Sequence, residues 1–156
     1  MNERPTVIET PVLIVGGGPI GLALAADLGR RGVAAVLIEK NENRLGSAKM
    51  LEVSVRTMEF CRQLGIADKV RNWGFPLDWP LDSVFVTDMR GYELGRVCMP
   101  PLGAGAHSEF SPERGRPCPQ TWFDPILQDC ARSHPRITLR HRVRSEERRV
   151  GKECRL

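Results

Sequence analysis

The stretch VLIVGGGPIGLALAADLGRRGVAAVLIEK, Val12 to Lys40, decides how the rest of the chain is read. Val12 to Val15 is a short β-branched apolar run, the pattern of a parallel strand buried on both faces. Glycines follow at once. Ile20 to Arg31 then carries Leu22, Leu24, Ala25, Ala26 and Leu28, helix formers with no breaker before Gly29. Gly32 ends that segment as a C-cap glycine does, and Val33 to Ile38 is a second apolar strand. Strand, helix and strand in so short a span make a βαβ unit with a right-handed crossover.

Between the first strand and the helix stands Gly16-Gly17-Gly18-Pro19-Ile20-Gly21, a G-x-G-x-x-G turn. Gly16 permits the tight turn out of the strand. Gly18 has no side chain to keep a pyrophosphate from the backbone, and Gly21 lets the helix press on the strands. The helix start then offers unpaired N–H groups and a positive dipole end to phosphate. A bare glycine turn is weak evidence, but three features strengthen this one. Ala25 is small and sits one helical turn after Gly21, Gly32 closes the helix at the expected distance, and Glu39 ends the second strand. An acid there accepts hydrogen bonds from ribose hydroxyls and disfavours NADP, whose 2′-phosphate would face like charge. The βαβ unit by itself does not choose between FAD and NAD, which share an ADP half.

Downstream, Asn41 to Lys49 is polar loop. Ser54 to Leu64 is predicted helical, with Val55, Met58, Phe60, Cys61 and Leu64 on its buried side and Gly65 as its stop. Trp73 to Pro80 is irregular. Ser83 to Thr87 and Tyr92 to Val97 flank Asp88-Met89-Arg90-Gly91 and predict an antiparallel hairpin. Met99 to Pro119, dominated by glycine, proline and charge, is expected to be a long mobile loop. Thr121 to Ser133 is predicted helical provided that Pro125 falls in its first turn. Ile137 to Val143 alternates as a strand with Ile137, Leu139, His141 and Val143 on one side.

The chain's 156 residues suit one domain with a real core. Its net charge of +4 is concentrated at the end: without the last thirteen residues, eighteen basic side chains face sixteen acidic ones. No continuous basic patch precedes Arg136, so nucleic-acid binding has little support. Cys61, Cys98, Cys118, Cys130 and Cys154 are odd in number and form no C-x-x-C pair, which fits reduced thiols rather than a zinc ribbon or a disulfide framework. His107, His134 and His141 lack metal-ligand spacing. No apolar run approaches the ~20 residues of a membrane span, and the polar start is unlike a signal peptide. The expected location is cytoplasmic. Arg144 to Cys154, RSEERRVGKEC, resembles the translation of a common sequencing-library adapter. The expected organisation is therefore a partial domain over 1–143 and a non-native tail over 144–156, with the natural protein continuing beyond.

Three stretches resemble the FAD-dependent aromatic hydroxylases, the group A flavoprotein monooxygenases that include phenol, para-hydroxybenzoate and polyketide hydroxylases. They are Val12 to Lys40, SAKMLEVSVRTMEFCRQLGI (Ser47 to Ile66) and CPQTWFDPIL (Cys118 to Leu127). The second and third are the more specific. The resemblance implies an α/β fold: a Rossmann-like FAD-binding βαβ unit with a parallel sheet, plus an antiparallel hairpin, residues 82–98, from an incomplete substrate domain. It implies FAD as cofactor, NAD(P)H as co-substrate, and a small aromatic substrate that receives one oxygen from O₂. Carried over by position, the turn Gly16, Gly17, Gly18, Pro19, Ile20 and Gly21 binds the pyrophosphate. Glu39, with Lys40 beside it, holds the adenosine ribose. Lys49 stands where many members have an arginine reaching towards the ribityl-phosphate part. Met50 lies near the flavin, Gln120 bonds the ribityl or phosphate region, and the Val143 backbone approaches adenine. No catalytic residue is named. The family's second FAD motif and its Asp-Gly motif are absent from the sequence, so the expectation is an inactive chain that binds FAD weakly. Arg56 and Arg62 are expected to be solvated or salt-bridged. Trp73, Trp79 and Trp122 are read as packing residues before pocket residues. The competing readings are an NAD-binding dehydrogenase or other FAD-dependent oxidoreductase domain, a non-catalytic nucleotide-binding module, and a basic nucleic-acid binder.

Overall fold

A computed structural model describes residues 9–41, 49–104 and 109–145. In chain order the elements are β1 (Leu13–Val15), α1 (Pro19–Arg30), β2 (Ala35–Glu39), β3 (Glu52–Val53), α2 (Val55–Gln63) and α3 (Ala67–Arg71). They continue with β4 (Ser83–Val86), β5 (Glu93–Val97), β6 (Arg116–Pro117), α4 (Gln120–Arg132) and β7 (Ile137–His141), with a 3-10 turn at Leu102–Ala104. Two compact units result, Met1–Lys49 with Gln120–Leu156, and Met50–Pro119.

The first unit is a parallel sheet in the order β1-β2-β7. Leu13 pairs with Val36, and Glu39 with His141 at the far end of the register. α1 and α4 pack on each other and on the strands. Ile14, Leu22, Ala25, Ala26, Leu37, Phe123, Leu127, Ala131 and Ile137 form the core. A wholly buried leucine such as Leu37 contributes about 1.5–3 kcal/mol. Small residues bring α1 close: Ala25 and Ala26 are fully buried, and a Cβ on Gly29 would meet the Cβ of His134 at 2.6 Å. α1 ends as the sequence predicts. Gly32 takes φ +74°, its N–H reaches the Gly29 carbonyl at 2.9 Å, and the Val33 N–H reaches that of Leu28 at 2.9 Å.

Several expectations are corrected here. β1 is buried on one side only: Ile14 is buried, while Leu13 and Val15 are exposed. The described helices of this unit cover one sheet face, whereas a β-branched run predicts two. Pro125 is the sixth residue of α4, deeper than the first turn, because the helix begins at Gln120. The Thr121 carbonyl therefore has no i+4 N–H to accept. β7 stops at His141 rather than Val143, since Arg142 adopts φ +59° and turns the chain out of the strand.

In the second unit, Ser54 caps α2 by accepting from the Thr57 N–H at 3.2 Å. Met58 and Cys61 are its buried residues; Val55, expected inside, is exposed at the helix start. Gly65, at φ +73°, stops the helix as predicted. The hairpin forms from β4 and β5, antiparallel, with an irregularity between Phe85 and Val86. The segment from Met99 to Pro119, expected to be loop, is tied down where it is described. Its Arg116–Pro117 strand pairs with β3, Glu113 is buried against Arg71, and Ser111 donates to Glu59 at 2.8 Å. Arg114 donates to the Pro101 and Leu102 carbonyls. Residues 105–108 of it, and 146–156 of the adapter-like tail, lie outside the described residues. Among the described residues Cys98 and Cys118 are free thiols, and no helix is long and apolar enough to cross a membrane.

Candidate functional site

The strand-to-helix turn of the first unit is built around Glu39. Gly16 leaves β1 at φ +111°, a conformation that side-chain-bearing residues rarely adopt. Its N–H returns to the Ile38 carbonyl at 2.8 Å, holding the turn against the end of β2. The next N–H, of Gly17, donates to Glu39 Oε2 at 2.7 Å, and the Asn41 N–H donates to Oε1 at 3.0 Å. The Val143 N–H donates to the Glu39 backbone carbonyl at 3.1 Å, bringing the exit of β7 to the same place. Glu39 is only 7% exposed although it carries a carboxylate. Backbone N–H donors of this kind sustain a buried charge.

The turn is closely packed. A Cβ on Gly17 would stand 2.9 Å from the Glu39 Cβ, and one on Gly21 would fall on the Gly16 carbonyl oxygen. Gly18 is the N-cap and makes no side-chain cap; Pro19 follows at N1. The first helical bond of α1 runs from the Leu22 N–H to the Gly18 carbonyl at 2.9 Å, so the Ile20 and Gly21 amides precede the hydrogen-bonded ladder. Ile20 is 83% exposed. These are the requirements of a diphosphate cradle: bare backbone, helix-start N–H groups and the positive end of a twelve-residue helix.

Beside the turn lies a cavity of about 300 Å³ lined by Val15, Gly16, Ile38, Glu39, Lys40, Val143, Arg144 and Ser145. It sits at the carboxyl ends of β1 and β2, where open α/β sheets take ligands. Its size suits a nucleoside rather than a whole dinucleotide. The residues present therefore fit the adenosine-diphosphate half of a dinucleotide.

The structure brings Gly16, Gly17, Gly18, Pro19, Ile20, Gly21, Glu39, Lys40 and Val143 together around this turn and cavity. Lys49 and Gln120 also meet, through the Lys49 backbone: its N–H donates to Gln120 Oε1 at 3.3 Å. Gln120, the first residue of α4, gives its other amide atom to Asp124 at 2.9 Å. Met50 is half-buried and opens the second unit. Arg56 pairs with Glu59 at 2.9 Å and Arg62 with Glu113 at 3.7 Å, as expected of helix-surface cations. Trp79 and Trp122 are exposed, while Trp73 donates to the Pro117 carbonyl at 2.7 Å. Asn41 and Arg142 join the site or shape its edge without any motif marking them, whereas Arg144 and Ser145, which also line the cavity, belong to the adapter-like stretch. An asparagine two residues after the strand acid is the one available signal, since it favours turns.

A βαβ unit with this turn, this acid and this cavity defines a dinucleotide-binding domain. The family described as FAD binding domain matches residues 9–151, and the chain belongs to it. The 2,4-dichlorophenol 6-monooxygenase of Delftia acidovorans is 34% identical over 134 residues, 81% of this chain and 22% of that protein. A structure of RebC soaked with chromopyrrolic acid, with bound 7-carboxy-K252c, superposes with a TM-score of 0.84 at 36% identity, covering 91% of this chain and 27% of that one. The flavin-dependent monooxygenase PieE in complex with FAD and substrate gives 0.74 at 31% identity, covering 86% and 24%. The chain thus spans about a quarter or less of the length of these relatives.

Proposed function

We propose that this chain is the amino-terminal FAD-binding part of an NAD(P)H-dependent flavoprotein monooxygenase that hydroxylates a small aromatic substrate, phenolic or polyketide, with O₂. The observation that carries the reading is the buried Glu39 carboxylate bonded to the Gly17 amide, beside a nucleoside-sized cavity. In this reading Gly16 to Gly21 and the start of α1 hold the diphosphate. Glu39 holds the adenosine ribose, and the backbone at Val143 borders adenine. Lys49 and Gln120, already bonded to each other, face the ribityl-phosphate region. The redox chemistry, hydride uptake from NAD(P)H and activation of O₂, belongs to the flavin. The protein's part is to bind, orient and exclude water.

The domain boundaries follow the same reading, with native sequence to Val143 and the hairpin of residues 82–98 belonging to a substrate-binding sheet. The exposed Val84, Phe85, Val86 and Leu94 support the latter, because a lone two-stranded hairpin is marginal in water. Free thiols at Cys98 and Cys118 fit a reducing, cytoplasmic compartment.

The test is a fluorescence titration of the purified chain with FAD and with NAD, alongside an NAD(P)H-dependent phenol-hydroxylation assay. The expected result is weak FAD binding, weaker NAD binding and no turnover. Full-length protein from the coding sequence downstream of Val143 is expected to retain FAD near unit stoichiometry and to hydroxylate. Preference for NAD over FAD would refute the assignment.

A further inference from the structure

Glu39 makes more contacts within the chain than a ligand-binding acid requires. One carboxylate oxygen accepts from Gly17 at 2.7 Å and the other from Asn41 at 3.0 Å, while its backbone carbonyl accepts from Val143 at 3.1 Å. The first of these bonds joins the acid to the middle of the glycine turn, 22 residues earlier in sequence. The turn around it has no side chains that fix its shape. Gly16, Gly17 and Gly18 have the widest conformational freedom of any residue type, and an unbraced triple glycine loses much entropy on ordering.

The geometry points to Glu39 as the positioning residue of the phosphate turn: its carboxylate holds Gly17 in place before any nucleotide arrives, so that part of its contribution to binding is exerted on the diphosphate rather than the ribose. This rests on the nucleotide-binding reading above and goes beyond the ribose contact. The packing agrees. The Glu39 Cβ and Cγ lie where a Gly17 side chain would be, at 2.9 and 3.2 Å, so the acid and the turn fit as one piece. Electrostatics gives the idea a distinctive sign. A carboxylate that merely stood near a diphosphate would repel it, and its removal would tighten binding. Removing a brace weakens binding.

The experiment uses the ¹⁵N-labelled chain, wild type and Glu39→Ala, titrated by NMR with ADP, 2′,3′-dideoxy-ADP and 2′,3′-dideoxyadenosine. The dideoxy ligands have no ribose hydroxyls for the acid to hold. For the brace, Glu39→Ala weakens 2′,3′-dideoxy-ADP about tenfold or more, the scale of one lost hydrogen bond to a charged group, and weakens 2′,3′-dideoxyadenosine, which has no diphosphate, by a distinctly smaller factor. Equal or tighter binding of 2′,3′-dideoxy-ADP by the variant overturns the proposal. Failure of wild type to shift with ADP at all would instead remove the nucleotide-binding reading, and the proposal with it. Should Glu39→Ala not fold, two measurements replace it. Glu39→Gln has a single acceptor oxygen for the two backbone donors, and it is expected to weaken dideoxy-ADP in the same direction. The Gly17 amide of nucleotide-free wild type is expected to exchange with solvent more slowly than that of Gly18. A Gly17 amide as fast as its neighbour overturns the brace.

Discussion

Replacing Gly29 by alanine tests the packing of α1, the helix that follows the glycine turn, against His134 just past the end of α4. In an ordinary helix the change is stabilising by roughly 0.5–1 kcal/mol, because glycine loses more backbone freedom on folding than alanine. Here the new methyl would stand 2.6 Å from both Cβ and Cγ of His134 and 2.7 Å from Cδ2. The Cβ is fixed to the backbone and cannot swing aside, so helix or loop must shift. Overpacking of this kind costs about 1–3 kcal/mol, which outweighs the helical gain and leaves a net loss of about 1 kcal/mol. His134→Gly removes all three obstructing atoms. In that background Gly29→Ala is expected to recover its ordinary gain, giving a coupling of about 2 kcal/mol between the two positions. The four proteins would be compared by urea unfolding at constant m. Equal effects of Gly29→Ala in both backgrounds, within about 0.5 kcal/mol, would show that α1 does not meet His134 there.

Four further outcomes are expected. Gly16→Val places a β-branched residue at φ +111° and is expected to cost about 1–3 kcal/mol and to weaken FAD at least tenfold; the titration described above measures it. Glu113→Ala removes a carboxylate only 1% exposed that pairs with Arg71, and is expected to cost about 3 kcal/mol in urea unfolding. Asp68→Ala, on the 87% exposed partner of the same arginine, should change stability by less than about 1 kcal/mol. Cys118 is buried, and burial pushes its thiol up to about 11 from 9.0. The folded chain holds that proton more tightly than the unfolded one, so this contribution is complete below about pH 9 and is lost as pH rises towards about 11. Cys118→Ala should flatten that alkaline loss by about 2 kcal/mol in pH-dependent unfolding, and an unchanged profile would rule out the thiol as its source.

What was legible in the sequence depended on near neighbours. α1 and its Gly32 stop, α2 and its Gly65 stop, and the hairpin around Asp88 to Gly91 each follow from propensity, turn chemistry or capping within a few residues. The elements that were not legible depend on distant partners. β3 and β6 are two residues each and exist only because they pair with one another. The glycine- and proline-rich segment after Met99 looked structureless because its anchors are Glu59 and Arg71, 52 and 42 residues before Ser111 and Glu113. The end of β7 depends on Arg142 at positive φ, and arginine carries no preference for that conformation that composition would reveal.

The middle glycine of the turn shows how far a motif reading reaches. In G-x-G-x-x-G the position of Gly17 is an open one, and nothing local demands a glycine there. The demand comes from Glu39, whose Cβ occupies the space any side chain at 17 would need and whose carboxylate takes the Gly17 N–H. Turn and acid therefore constrain each other across 22 residues. Alanine at position 17 would push the acid out of the turn, and loss of the acid would leave the Gly17 amide without this acceptor. The spacing between the turn and the strand-ending acid is thus tied to the register in which β2 delivers a carboxylate to the Gly17 amide.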